Sequence, residues 1–460
     1  MPTTRHLVKI QRNLLFIFIT LSAVLFFAGV TQAQSPVWQP VTAPQSQSGV
    51  HIIVGNEEKT VNPECALGDP YQFYFKQGTT QNLLVYFNSG GACWDSNTCV
   101  GSLNSSLPTY STYSVNAPPS YPPFLQNNPN KMGGILGQYN KSNSTVSNPY
   151  ANWSMLFISY CTGDIHIGSA DTTYTYSDPV SGFKKKMTIH HHGFDNFLYA
   201  MSWLTTTYPT LNPSSILVAG SSAGSYGASL NFPWVKKFYP TVKNMSLLGD
   251  GGAGVFQNAP KFVDSVFGYP SNWGIQNTLD PMFSILPALV SAWPESFVPA
   301  TYTQLGIAYP KGKFAQYTTA YDVIQTLFWD IMLNWKDPAV WGNPTELATL
   351  MPEWRGYMNA NIGELDAFLP KNYRSYIGPG CNHTVLPFDD DFYNSSLTSS
   401  GNKITFLQWF AALTGANQAL TKNWQNLSCK PGVSCGEETV FNPNGSGIEA
   451  CLTRTINAPW

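Results

Sequence analysis

The stretch Ser215-Ile216-Leu217-Val218-Ala219-Gly220-Ser221-Ser222-Ala223-Gly224 decides the fold. Apolar strand formers run directly into a Gly-x-Ser-x-Gly motif, and a helix-like segment follows over 223–238. This order is typical of a nucleophile elbow, a tight strand-to-helix turn that raises a serine above the edge of a sheet. Ser222 is the serine with glycine two residues before and two residues after it, so it is the predicted nucleophile. The N–H of Ala223, at the positive end of the helix dipole, would face an oxyanion.

The composition excludes several classes of protein. Of 460 residues, 43% are hydrophobic and 11% are charged, with a net charge of −2. The usual charged fraction is about 25%, and nucleic-acid binding requires a clustered basic face. We therefore expect no nucleic-acid partner. A polar surface built mainly from neutral residues is typical of an extracellular protein that meets a neutral, carbohydrate-like ligand.

The N-terminus indicates the compartment. Basic residues precede an apolar run over 14–30, and Thr31-Gln32-Ala33 supplies small residues before a cleavage site. This pattern predicts a secretory signal peptide over residues 1–33. The alternative is a retained membrane anchor, because the run is close to the minimum spanning length. The cleavage site favours removal, which predicts a secreted or periplasmic protein without a stable membrane anchor after processing.

Eight cysteines remain in the exported chain: Cys65, Cys93, Cys99, Cys161, Cys381, Cys429, Cys435 and Cys451. An even number in an exported chain predicts up to four disulfides. Cys93 with Cys99, and Cys429 with Cys435, are close enough in sequence to close small loops. Zinc binding by these cysteines is disfavoured, because the chain has no Cys-x-x-Cys motif.

Strand and helix patterns alternate along the chain. Besides the elbow strand, strands are predicted over 51–54, 83–87, 155–160, 245–248, 313–318 and 373–377. Helices are predicted over 193–204, 223–238, 322–333, 353–368 and 405–413. Such alternation predicts an α/β fold, an α/β-hydrolase-like mostly parallel sheet with helices on both faces and large loop insertions.

No repeat or low-complexity linker divides the chain. We predict an irregular N-terminal arm over 34–48 and a single catalytic domain over 49–460. Insertions are expected near 100–150 and 255–310, and the second is expected to shape a pocket. We expect a monomer.

A serine nucleophile needs a base, because its hydroxyl is a weak nucleophile at its own pKa. The triad of an α/β-hydrolase follows the order serine, acid, histidine, and His383 is the histidine that follows Ser222. The acid must lie between them. Asp250 and Asp322 both follow predicted strands, and the residues alone leave both open.

The oxyanion needs a second donor besides the N–H of Ala223. A glycine-rich turn after an early strand supplies it in α/β-hydrolases. Asn88-Ser89-Gly90-Gly91-Ala92 follows the strand predicted over 83–87. Gly91 and Ala92 are therefore the predicted donors.

Further polar and aromatic residues lie near the predicted cleft. Asp164 and His166 follow a strand and are predicted substrate contacts, and Trp94 could stack on a sugar ring. His190 and His192 could join His166 around zinc. Because metal-binding histidines on a helix are usually spaced i, i+4 and no such pair exists, no metal site is predicted, and substrate-lining or structural roles are favoured.

Taken together, these residues resemble the pectinacetylesterase family, which also contains the Notum-type carboxylesterases. The resembling segments are Gly90-Gly91-Ala92-Cys93-Trp94, Tyr160-Cys161-Thr162-Gly163-Asp164, Gly220-Ser221-Ser222-Ala223-Gly224, Ala320-Tyr321-Asp322 and Cys381-Asn382-His383. The family acid follows the later strand, so the resemblance favours Asp322 over Asp250. The triad implied by the resemblance is Ser222, Asp322 and His383.

The resemblance implies a serine esterase that removes short acyl groups, acetyl above all, from a polysaccharide such as pectin through an acyl-enzyme. Its partner is an acetylated carbohydrate or another ester substrate, and no cofactor is expected. One alternative is a lipase or polyester-type carboxylesterase on the same triad. Another is a non-catalytic carbohydrate-binding envelope protein on a decayed hydrolase fold.

Overall fold

A nine-stranded sheet organises the computed structural model, which describes residues 37–46, 48–100, 127–141, 143–177, 181–415, 418–442 and 445–456. Its strand order is β1-β4-β8-β5-β11-β12-β13-β14-β17, and the pairs from β8 to β17 are all parallel. Both pairs that β4 makes are antiparallel. The predicted mostly parallel α/β fold is confirmed.

The strands of the described residues have these bounds: β1 (Gln39–Thr42), β2 (Val50–Val54), β3 (Glu57–Val61), β4 (Gln72–Lys76), β5 (Asn82–Phe87), β6 (Tyr139–Asn140), β7 (Asn143–Ser147), β8 (Ser154–Ile158), β9 (Ala170–Ser177), β10 (Lys184–His191), β11 (Ser215–Ser221), β12 (Asn244–Asp250), β13 (Lys313–Thr319), β14 (Tyr373–Gly378), β15 (Ser396–Ser399), β16 (Asn402–Thr405) and β17 (Leu427–Ser428).

The helices of the same residues are α1 (Ser96–Cys99), α2 (Gly193–Thr207), α3 (Ala223–Phe238), α4 (Pro260–Val266), α5 (Leu286–Ala292), α6 (Phe297–Ala308), α7 (Val323–Leu333), α8 (Pro344–Phe368), α9 (Asp389–Asn394), α10 (Phe406–Thr414), α11 (Glu437–Val440) and α12 (Ser446–Ile456). None of these helices has both the length and the apolar character needed to cross a membrane.

Strands β5 and β8 are almost continuous apolar runs because parallel strands at the centre of the sheet are covered on both faces. Every residue over 83–87 of β5 is fully buried, and β8 is buried from end to end. Helix α3 packs on β5, β11 and β12, so the elbow lies at the middle of the sheet. The carboxyl ends of β5, β11, β12 and β13 therefore meet at one edge, where the predicted functional residues follow them.

Four disulfides join all eight cysteines: Cys65–Cys161, Cys93–Cys99, Cys381–Cys451 and Cys429–Cys435. The two short loops expected from the sequence are thus confirmed. Cys381–Cys451 ties the segment that carries His383 to α12, while Cys65–Cys161 ties the loop before β4 to the end of β8. Restricting the unfolded chain in this way typically stabilises a protein by about 2–4 kcal/mol for each bridge.

Two sequence expectations need correction. The arm over 34–48 is not wholly irregular, because β1 pairs with β4 at the edge of the sheet. This strand is short, mostly exposed and contains Pro40, so backbone pairing at an edge holds it without an apolar pattern. The insertion over 255–310 is largely helical rather than a loop. Pro260 and Pro287 stand in the first turns of α4 and α5, where proline is tolerated because the first N–H groups have no partner.

Some expectations fall wholly or partly outside the described residues. The predicted signal peptide over 1–33 lies outside them, as do residues 101–126 of the insertion expected near 100–150. Within the rest of that insertion, β6 and β7 form a small antiparallel hairpin. The described residues belong to one compact unit.

The glycines of the elbow are required by close backbone contact, which gives a testable prediction. A Cβ added at Gly224 would collide with the carbonyl oxygen of Phe87 on β5. We expect Gly224→Ala to lower the free energy of unfolding by more than about 2 kcal/mol, or to prevent folding, because backbone atoms cannot yield as a side chain does. Urea denaturation monitored by circular dichroism measures the change.

Gly356→Ala is the matched control. Gly356 is exposed within α8, and a Cβ there would meet no atom within 4 Å. Alanine is the better helix former by about 1 kcal/mol, so this variant should be slightly more stable than wild type. Equal stability of the two variants would contradict the close-packed elbow.

Candidate functional site

Ser222 occupies the turn between β11 and α3 with φ 56° and ψ −122°. A positive φ is uncommon for a residue other than glycine and marks a backbone held in a strained conformation by its surroundings. Its amide donates to the carbonyl of Asp250 at 2.7 Å, and its carbonyl accepts from the amide of Ser225 at 2.9 Å. The backbone of the turn is thus fixed on both sides, and Ser222 lines a cavity at the carboxyl edge of the sheet.

His383 and Asp322 form a buried pair. The Nδ1 of His383 lies 2.9 Å from Oδ1 and 3.0 Å from Oδ2 of Asp322. Because a carboxylate only accepts, the imidazole donates its Nδ1–H. This leaves Nε2 with its lone pair, and Nε2 is buried without a hydrogen-bond partner among the described residues. His383 lines the same cavity as Ser222.

Asp322 is itself fixed in place. It is the N-cap of α7, where Oδ1 accepts from the amides of Ile324 at 3.1 Å and Gln325 at 3.0 Å. The Gln325 side chain donates to Oδ2 at 2.8 Å. Three donors besides the imidazole therefore fix the orientation of the carboxylate. A helix start immediately after β13 is the local reason that the aspartate stands at this edge.

Asp250, the other acid left open by the sequence, does not contact the imidazole. Its carboxylate accepts from the amides of Val385 at 3.0 Å and Leu386 at 2.9 Å, and from the hydroxyl of Ser221 at 2.7 Å. It therefore holds the segment that directly follows His383. Burial raises the pKa of Asp250 to about 6, against the effect of these three donors.

Gly251 lies against the imidazole. A Cβ there would come within 3.0 Å of Cε1 and 3.2 Å of Nδ1 of His383, and the residue has φ +69°. Thr384, the residue after the histidine, also has a positive φ of 64°. The imidazole is thus enclosed by backbone from β12 and by a strained turn of its own segment.

Gly91 and Ala92 follow β5 and line the cavity with Ala223. The hydroxyl of Tyr160 donates to the carbonyl of Gly91 at 2.8 Å. Because the C=O and N–H of a trans peptide point in opposite directions, this bond turns the N–H of Ala92 away from Tyr160. Neither the Gly91 nor the Ala92 amide donates to another described residue. As the first residue of α3, Ala223 has an N–H without an intrahelical acceptor.

The rest of the cavity wall is mostly apolar. The wall contains Trp94, Ile165, Tyr226, Val255, Phe256, Phe262, Ile324, Phe328, Trp329, Met332 and Trp354. The cavity has a volume of about 50 Å³. Trp94, a predicted substrate contact, is part of this wall and lies edge-on to Phe262. The largely helical insertion over 255–310 supplies several of these side chains.

The other predicted substrate contacts, Asp164 and His166, do not line this cavity. Asp164 is fully buried and accepts from the Thr162 hydroxyl at 2.6 Å and the Gly193 amide at 2.7 Å. His166 lies 2.8 Å from the carbonyl of Asn88 through Nε2. Burial lowers the pKa of His166 to about 4, so the ring is neutral at pH 7 and donates its Nε2–H to that carbonyl.

Ile165 lies between these two residues and does line the cavity. A φ of 49° is unusual for a β-branched residue, and it persists because the Ile165 amide donates to the Tyr160 hydroxyl at 2.8 Å. Sequence reasoning missed both Ile165 and Tyr160. The sequence contains only a weak indication of Ile165. Asp164 and His166 around it at a strand end indicate a functional loop, but they do not show which of the three side chains faces the ligand.

Comparison with known proteins finds one similar family. A family model described as Pectinacetylesterase matches residues 43–267. Over these residues, which are just under half of the chain, the sequence is similar to the pectinacetylesterase family. No curated protein matches the chain.

The pectinacetylesterase match covers Ser222, Ala223, Gly91 and Ala92, and it ends before Asp322 and His383. The pairing of those last two residues therefore rests on their geometry. The match to the pectinacetylesterase family implies a carboxylic ester hydrolase with an ester substrate. The four disulfides are typical of proteins from oxidising compartments.

The raised pKa of Asp250 predicts a pH-dependent effect of Asp250→Asn. In the unfolded chain this carboxyl releases its proton near pH 4, whereas in the folded chain it holds the proton to about pH 6. Between these values the folded state binds more protons, so its stability falls as pH rises. The free energy of unfolding of wild type relative to Asp250→Asn should therefore fall by about 3 kcal/mol between pH 4 and pH 7.

Urea denaturation of both proteins across this pH range makes the measurement. Taking the difference between wild type and variant cancels the titration of all other groups that the substitution leaves unchanged. A difference that stays constant, or that increases with pH, would show that the folded state does not hold this proton.

Proposed function

We propose that this chain is a secreted serine esterase that removes acetyl groups from a polysaccharide such as pectin through an acyl-enzyme. The pairing of His383 with Asp322 carries the proposal. It leaves the Nε2 lone pair of the imidazole in the cavity that Ser222 lines. A base oriented by a carboxylate beside an elbow serine is the arrangement that activates a hydroxyl.

In the first step, Nε2 of His383 takes the proton from the Ser222 hydroxyl as its oxygen bonds to the ester carbonyl carbon. The carbonyl oxygen becomes an oxyanion, which the N–H groups of Gly91, Ala92 and Ala223 stabilise. Each such donor typically contributes about 3 kcal/mol to the transition state. Asp322 stays ionised and stabilises the imidazolium.

Collapse of this intermediate breaks the bond to the sugar oxygen. His383 returns its proton to that oxygen, so the sugar leaves as a neutral alcohol. A water molecule then loses a proton to Nε2 and attacks the acyl-enzyme, and a second collapse releases acetate and restores the Ser222 hydroxyl.

The compartment and the domain organisation are part of the same proposal. Residues 1–33 serve as a signal peptide and residues 49–460 as one catalytic domain. The disulfides support an oxidising compartment. Ser222, Asp322 and His383 follow β11, β13 and β14, which all belong to one sheet. No metal or organic cofactor enters the steps above.

Replacing the nucleophile tests the mechanism. We expect Ser222→Ala to lower kcat for p-nitrophenyl acetate, and acetate release from acetylated pectin, by about 10⁴-fold or more, because the acyl-enzyme cannot form. Ser214→Ala is the matched control, since Ser214 is exposed just before the same strand. It should keep wild-type turnover.

Turnover by Ser222→Ala within tenfold of wild type would exclude the mechanism, provided that both proteins show the same circular dichroism spectrum. Absence of turnover in the wild type, together with retained binding to pectin, would support the non-catalytic carbohydrate-binding alternative.

The apolar wall gives a specific reason to keep a second candidate, a carboxylesterase for longer acyl chains. Phe256, Phe262, Phe328 and Met332 would suit an alkyl chain better than a polar group. The small free space favours acetyl, because a longer chain requires these side chains to move. The two candidates therefore differ in acyl chain length.

A series of p-nitrophenyl esters from acetate to octanoate separates them. We expect kcat/KM to be highest for acetate and to fall with each added pair of methylenes. Phe328→Ala, which shortens a half-buried wall residue, should raise the butyrate-to-acetate ratio by about tenfold, since one or two methylenes in an apolar pocket have effects of this size. A wild-type maximum at octanoate would favour the second candidate.

A further inference from the structure

A second cluster of titratable side chains lies outside the esterase cavity. It consists of Glu64, Asp171, His190 and His192, and one ligand atom from each lies within 4.8 Å of all the others. None of the four lines the cavity that contains Ser222. We propose that this cluster binds a zinc ion with four protein ligands.

The distances between the facing atoms fit one central ion. Oδ1 of Asp171 lies 2.6 Å from Nδ1 of His190 and 3.1 Å from Nε2 of His192. Oε1 of Glu64 lies 3.4 Å from Nδ1 of His190. Tetrahedral zinc with bonds of 2.0–2.1 Å places its ligand atoms about 3.3 Å apart. Small side-chain adjustments therefore suffice to accommodate the ion.

The tautomer of His192 supports a ligand role. Nδ1 of His192 lies 2.8 Å from the carbonyl oxygen of Asn62, which can only accept, so Nδ1 carries the proton. Nδ1 also lies 3.0 Å from Oε1 of Glu64, and the opposite ring nitrogen, Nε2, faces Oδ1 of Asp171 at 3.1 Å. An ion held by Asp171 and His192 would bind this oxygen and Nε2. Metal-binding histidines usually donate their other ring N–H to a backbone carbonyl or carboxylate in this way.

The backbone holds all four residues in place without the ion. Asp171 on β9 and His190 on β10 are direct cross-strand partners. His192 is the residue before α2, and Glu64 is next to Cys65 of the Cys65–Cys161 disulfide. The amide of His190 donates to the carbonyl of Ala66 at 3.0 Å, which joins the hairpin to the disulfide loop. Such preorganisation favours binding because little ordering is needed.

The donor set selects the class of metal. Two imidazoles with two carboxylates suit zinc, whereas calcium requires six to eight oxygen ligands. Four protein ligands close a tetrahedral site, which is typical of structural rather than catalytic zinc. The sequence argument against a metal here assumed helical spacing, but His190 belongs to a strand and reaches its partners across the β9–β10 pair.

The test uses the purified full chain, freed of metal by a chelator and dialysed at pH 7.5. Isothermal titration with Zn²⁺ should show one ion bound per chain, and the Tm should rise with zinc. Asp171→Asn and His190→Gln should each weaken binding by at least about tenfold. Asp171 is more than half exposed, at 58%, so its replacement should leave the fold intact. Ca²⁺ should not bind at the same concentrations.

His51→Gln is the matched control. The Nδ1 of His51 also lies near a carboxylate, 3.5 Å from Oε1 of Glu58, but this pair is exposed and has no further metal-ligating neighbours among the described residues. Its zinc affinity should equal that of wild type. Absence of zinc binding by the wild type, or an equal affinity of wild type and Asp171→Asn, would overturn the proposal.

Discussion

The hydrogen bond between the Nδ1–H of His383 and the Asp322 carboxylate is the interaction on which the rest of the proposed site depends. It fixes the tautomer, so that Nε2 is the atom left to accept a proton. Two separate sets of hydrogen bonds keep His383 and Asp322 in this arrangement. The start of α7 and Gln325 hold the carboxylate, and Asp250 holds the backbone directly after the histidine. The two candidate acids thus have different roles: Asp322 contacts the imidazole, and Asp250 holds the backbone that follows it.

Several parts of the site can be predicted from short stretches of sequence. The elbow is predictable because a turn of this tightness requires glycine at 220 and 224 and a strand before it. The strand over 82–87 is predictable because burial on both faces requires a continuous apolar run, which Leu83 to Phe87 supply. The proposed oxyanion donors follow from a Gly-Gly pair at a strand end. In each case, the residues that determine the structure lie within about ten positions of one another.

The remainder depends on contacts between distant segments. From the residues alone, Asp250 and Asp322 are equivalent, because each follows a strand; only the path of the chain after His383 brings one to the imidazole and the other to the amides of Val385 and Leu386. The β9–β10 hairpin escaped prediction because half of its side chains are exposed and its sequence has no apolar period. The cluster of Glu64, Asp171, His190 and His192 was also not predicted. Its residues come from three separate segments, which only the folded chain brings together.

A crystal structure of the chain after reaction with an aryl phosphonate tests the proposed site most directly, because the phosphonyl group resembles the tetrahedral intermediate. We predict a covalent bond from phosphorus to Ser222 Oγ and a hydrogen bond from Nε2 of His383 to that oxygen. The phosphonyl oxygen should lie about 3 Å from the amides of Gly91, Ala92 and Ala223. An adduct on another residue, or one whose oxygen faces away from these amides while His383 contacts neither the adduct nor Ser222, would contradict it.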